Sequence, residues 1–139
     1  MAIPASFLIS GGPPTSDSVL TIVLTRVDDS IVCFFAGELD LSNETRVRKA
    51  LDEVLARRPV LVAVELSGVR LFTSSALNAL LAARITALAL GIPIVLASPS
   101  RIVERVLQIS QTDQVFPAYP TLDEALDHGL EGDQAVRAV

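Results

Sequence analysis

Two short apolar runs on either side of one long helical stretch constrain this fold more than any other feature. Val60-Leu61-Val62-Ala63-Val64 and Ile94-Val95-Leu96-Ala97 are continuous in apolar residues and bounded by turn residues. Runs of that length read as strands with little solvent on either face. Between them, an Ala/Leu-rich segment begins at Ser74 and runs to Gly91, with Pro93 just beyond. Glycine at that place ends a helix in the left-handed conformation, and proline prevents its resumption. Strand, helix and strand in this order imply two parallel neighbours joined by a right-handed crossover.

The rest of the chain extends that unit. Leu20, Ile22 and Leu24 alternate with Thr21 and Thr25, Asp28-Asp29-Ser30 is turn chemistry, and Ile31–Ala36 is apolar throughout. The spacing predicts an antiparallel hairpin. Gly37-Glu38-Leu39-Asp40 leads into a helix capped by Ser42 or Asn43, with an apolar stripe at Val47, Leu51, Val54 and Leu55. After Ser98-Pro99-Ser100 comes a third helix, with Ile102, Val103, Val106, Leu107 and Ile109 as its inward set. Val115-Phe116 reads as a short edge strand. A last helix starts near Thr121 and ends near Gly129. The expected order is ββαβαβα(β)α, a mixed sheet. Residues 1–17, with Gly11-Gly12-Pro13-Pro14, read as a flexible leader. Residues 18–130 form the domain, and 131–139 read as a flexible tail.

Composition narrows the function. The 139 residues carry a formal net charge of −5, which does not suit a nucleic-acid backbone as direct ligand. The longest apolar stretch, Leu77 to Leu90, contains Asn78, Arg84 and Thr86 and falls short of the ~20 residues of a membrane span. No secretory signal opens the chain, and the single Cys33 cannot form an internal disulfide, so a cytoplasmic setting is expected. His128 is the only histidine. No metal-ligand spacing, phosphate-binding glycine loop or nucleophile elbow occurs, so neither catalysis nor a cofactor is expected.

Three segments, in order, resemble the STAS family: Gly37-Glu38-Leu39-Asp40, then Val64-Glu65-Leu66-Ser67-Gly68-Val69 with Phe72-Thr73-Ser74-Ser75-Ala76-Leu77, then Pro93-Ile94-Val95-Leu96-Ala97 before a Ser-capped helix. The match spans roughly residues 19–130. It implies a single α/β domain with a mixed four- to five-stranded sheet and helices mainly on one face. The family's bacterial anti-sigma factor antagonists bind an anti-sigma factor that is also a serine kinase. That kinase modifies a serine at the start of the second helix. The resemblance makes Ser74 the acceptor, with Ser75 as fallback, and puts Asp40, Thr73, Ser75 and Ala76 at the partner surface. This chain departs from the common Asp-Ser-Ser/Thr-Gly pattern at two places. Thr73 removes a negative charge beside the acceptor, and Ala76 adds a methyl where glycine is usual. Those departures favour an alternative, a phosphorylation-independent STAS adaptor in a lipid-transport system or a signalling assembly.

Each site residue also has a plainer reading. Ser74 can be a helix N-cap, Asp40 an exposed loop acid, and the stripe Ala76, Ala79, Ala83 and Ala87 simple packing against the sheet.

Overall fold

The two apolar runs lie side by side near the middle of one sheet. The structure is a computed structural model that describes residues 5–8 and 19–138, with side chains described for 19–130. Strands β1 (Ala5–Leu8), β2 (Leu20–Val27), β3 (Ser30–Leu39), β4 (Leu61–Phe72), β5 (Ile94–Ala97) and β6 (Ala118–Tyr119) are hydrogen-bonded in chain order. The β1–β2 and β2–β3 pairs are antiparallel, and the following three pairs are parallel. Strands β2–β6 make the expected mixed five-stranded sheet. β1 adds a sixth strand, formed by part of the stretch expected to be a flexible leader. It pairs with the backbone groups that β2 would otherwise leave open at the edge. The other residues of that stretch, 1–4 and 9–17, lie outside the described residues.

Because strand order follows chain order, right-handed crossovers place all three connecting helices on one face. These are α1 (Glu44–Ala56), α2 (Ser74–Leu90) and α3 (Arg101–Ile109). They bury Ile22, Leu24, Ile31, Cys33, Phe35, Val62, Val64, Ile94 and Leu96 beneath Val47, Leu51, Leu80 and Leu107. The alanine stripe is indeed buried packing, since Ala76, Ala79, Ala83 and Ala87 are each 4 % exposed or less. On the third helix only Val103 and Leu107 are buried. Ile102 and Ile109, expected to point inward, are 43 % and 76 % exposed because the nine-residue helix has room for one narrow apolar stripe.

The second face explains why β3, β4 and β5 are apolar on both sides. Helix α4 (Leu122–Ala138) covers it, with Leu122, Ala125 and Leu126 packed against a cluster of Val32, Leu61, Ala63, Val95 and Ala97. Gly129 does not end this helix as expected. A Cβ there would sit 2.9 Å from both methyls of Leu61, so glycine serves close packing of helix on sheet, and the expected tail is helical as far as Ala138. The edge strand also differs from expectation. It is Ala118–Tyr119, while Phe116 is buried in the main core.

Turn chemistry holds at both places the sequence marked it. Asp28 adopts φ 54° in the two-residue loop between β2 and β3, the left-handed geometry such hairpins use. Gly91 has φ 73° and donates to Ala87 and Leu88 carbonyls, closing α2. A Cβ at Gly91 would meet nothing within 4 Å, so Gly91→Ala isolates backbone strain. Gly91→Ala is expected to cost about 1 kcal/mol in denaturant unfolding, and Gly91→Asn less.

Cys33 is fully buried, and burial pushes its thiol up to about 12 from an ordinary 9.0. The charged form is the disfavoured one, so the unfolded chain loses this proton first. Cys33 therefore stabilises the fold below pH 9 and ceases to as pH rises from 9 towards 12, by about 1.4 kcal/mol per pH unit. Comparing wild type with Cys33→Ala across that range should reveal the difference. Native chain should resist alkylation at pH 8 and react only on unfolding.

Candidate functional site

The site grows from irregularities in the β3–β4 pairing. The register shifts between Phe34 and Ala36 and again between Gly37 and Glu38, each time with one extra residue on β4. Such bulges bend a strand and re-aim its end. At the second, Gly37 has φ 112°, and a Cβ would lie 2.0 Å from the Val19 carbonyl oxygen. Only glycine fits there. The register recovers at Leu39, which pairs with Phe72. Asp40 and Thr73 therefore leave the same end of the sheet from adjacent strands, with Ser74 one residue further on.

Asp40 is not a loose loop acid. It caps a 3₁₀ turn, Leu41–Asn43, that precedes α1, while Asn43 holds the N-cap position of α1 as expected, without a side-chain cap bond. Its Oδ1 accepts from the Ser42 N–H at 2.9 Å and from the Ser42 hydroxyl at 2.6 Å. The Asp40 side chain also accepts from the Asn43 N–H, and the residue is half-buried. The Asp40 N–H donates to Asn43 Oδ1, completing a capping box. Leu41, the residue after Asp40, is 74 % exposed.

Thr73 joins this turn to the next helix. Its N–H donates to the Leu39 carbonyl at 3.1 Å, and its hydroxyl donates to the same oxygen at 3.3 Å. Thr73, not Ser74, is the N-cap of α2, and with its hydroxyl turned to Leu39 the helix start has no side-chain cap. The first-turn N–H groups and the positive end of the helix dipole thus stand open beside Ser74. Ser74 is the first helical residue. It is exposed, and its Oγ makes no hydrogen bond among the described residues. Ser75 is half-buried. Ala76, expected at the partner surface, is 1 % exposed and packs into the core, because the third helical residue already faces the sheet.

Among the described residues no group of three or more His, Cys, Asp or Glu side chains could hold a metal, and no helix is long and apolar enough to cross a membrane. What the site presents is a small polar surface at one end of the sheet: the half-buried Asp40 carboxylate, the Ser74 hydroxyl and the exposed Leu41. Sequence reasoning named Asp40 and Ser74, which the structure brings to the same end of the sheet. It missed Asn43, whose role was written as the Asp-x-x-Asn spacing of a capping box, and the tie from Thr73 to Leu39, which depends on pairing across 34 residues.

Comparison with known proteins agrees with this architecture. The family model for the STAS domain matches residues 21–125. A search of curated protein sequences finds no match. Among solved structures, an anti-sigma factor antagonist from Mycobacterium paratuberculosis is 28 % identical, with TM-score 0.69, covering 84 % of this chain and 98 % of its own. The anti-sigma factor antagonist SpoIIAA in its unphosphorylated form shares the fold at 21 % identity and TM-score 0.67, covering 86 % of this chain and 98 % of its own. A variant of RsbS from Moorella thermoacetica does so at 21 % identity and TM-score 0.64, covering 86 % and 99 %. With three quarters of its length inside the family model and the sheet and helices in the matching order, the chain belongs to the STAS domain family.

Proposed function

We propose that this chain is an anti-sigma factor antagonist, a protein-binding module switched by phosphorylation at Ser74. In its unmodified form it sequesters an anti-sigma factor with serine kinase activity in the bacterial cytoplasm and so frees a sigma factor. One observation carries the reading. Ser74 is exposed with a free hydroxyl at an uncapped helix start, beside Asp40 at the same end of the sheet. A phosphate there adds about −1.5 to −2 charges to the docking surface while meeting open N–H groups, so the domain stays folded. The resemblance to the Mycobacterium paratuberculosis antagonist supports the partner class. The contact set is Asp40, Thr73, Ser74 and Ser75.

Thr73 favours a second reading, a phosphorylation-independent adaptor, because it takes the usual acid away from the acceptor. The Ala76 departure no longer counts towards it, since that methyl is buried. Intact-mass analysis decides between the two. After incubation with the anti-sigma factor kinase of the same genome and ATP, the chain should gain one phosphate, mapping to Ser74 and absent from Ser74→Ala. An unchanged mass, or a phosphate elsewhere, would reject the switch and leave the adaptor.

A further inference from the structure

Asn43 and Thr25 are the two buried polar residues among those described, and Asn43 is 1 % exposed. It stands at the N-cap of α1, yet its side chain makes no cap hydrogen bond to that helix. The amide is turned back into the preceding turn instead. Nδ2 donates to the Glu38 carbonyl, and Oδ1 accepts the Asp40 N–H at 3.0 Å. One side chain thus grips the backbone on either side of Leu39, whose own carbonyl is held by Thr73. Leaving a buried amide unpaired costs about 1–3 kcal/mol, so this geometry is narrowly held. The Oδ1 bond is half of the capping box that starts the turn, but the Nδ2 bond back to Glu38 lies outside that box, and helix initiation alone does not call for it. What the amide fixes is the direction in which the Asp40 carboxylate leaves the sheet.

Resting on the reading of Asp40 as a partner contact, the structure assigns Asn43 as the positioning residue of the docking surface. It acts through Asp40 and touches no partner itself. The test is a double-mutant cycle, with the purified anti-sigma factor of the same genome titrated by calorimetry into wild type, Asp40→Ala, Asn43→Ala and the double variant. Each single substitution should weaken binding about tenfold, and the double by about the same factor rather than about a hundredfold, because Asn43 has nothing left to position. A purely structural contribution would multiply with the loss at Asp40. Asn43→Ser guards against misfolding, since its hydroxyl can still accept the Asp40 N–H. It should bind between wild type and Asn43→Ala, and unbound it should shift the Asp40 amide resonance while leaving that of Val95 in place. Wild-type affinity in both Asn43 variants beside a weakened Asp40→Ala overturns the assignment, as do losses that multiply. Unchanged affinity in Asp40→Ala overturns the docking reading itself, and the assignment with it.

Discussion

Gly37→Ala is expected to lower the free energy of unfolding by about 3 kcal/mol, against the 5–15 kcal/mol of a typical domain. Two independent causes add. At φ 112° an L-residue is strained whatever its surroundings. The added methyl also lands 2.0 Å from the Val19 carbonyl oxygen, a backbone atom that no rotamer change can move aside. The same oxygen accepts the Glu38 N–H at 2.7 Å, and Gly37 is paired with Leu20 on one side and Val69 on the other. Relief must therefore open the end of β2 or of β4. Denaturant unfolding should show the midpoint falling with its slope unchanged. Partner binding should fall too, since opening either neighbour frees the end of β3, which leads directly into Asp40. An unchanged midpoint would mean that the bulge is not held as described.

Phosphorylation of Ser74 should reduce affinity for the anti-sigma factor by about a hundredfold, within the range measured when charge is introduced against a fitted surface. Ser74→Ala should bind within about threefold of wild type. The structure makes this comparison cleaner than the sequence suggested. Ser74 is the first helical residue and not the cap, so its removal breaks no capping hydrogen bond. Ser74→Glu should weaken binding less than phosphate, having one charge. Its melting temperature should equal or slightly exceed that of wild type, because an acid in the first turn interacts favourably with the helix dipole. Calorimetry gives the affinities and circular dichroism the melting temperatures. Undiminished binding by phosphorylated protein would end the antagonist reading, whatever the kinase does.

The strands and connecting helices were legible because burial writes itself as composition. Val62 and Val95, inside continuous apolar runs, are fully buried, and Gly91 stops its helix where glycine was expected to. The cover on the second face was not legible. Leu122, Ala125 and Leu126 spell an amphipathic helix, but nothing local says which face of a distant sheet it takes. Gly129 misled because a glycine chosen for contact with Leu61 looks the same as one chosen to end a helix. At the site, Asp40 and Ser74 came from family resemblance, and their neighbourhood follows from the Leu39–Phe72 register. Ser100 caps α3 and Asn43 holds the N-cap position of α1 as expected, but Thr73 takes the place given to Ser74, and Asp40 caps an extra turn ahead of α1. Serine, threonine, aspartate and asparagine all cap helices, and which of them does so here is settled by hydrogen bonds between segments far apart in sequence.

The plain succession of strands has a consequence for how the protein comes into being. Every strand is bonded to the one before it and the one after it in the chain. No pairing waits for a distant segment, so the entropy of closing each loop is modest and the average separation of touching residues is low for a sheet of this kind. During synthesis the hairpin can assemble first, and each helix–strand unit can then dock on a finished edge as it emerges. The exception is α4, which comes last and closes the second face only after β4 and β5 are in place. Until then Leu61, Ala63, Val95 and Ala97 are bare, and a nascent chain stalled short of Leu122 carries a sticky half-built sheet of the sort that chaperones attend.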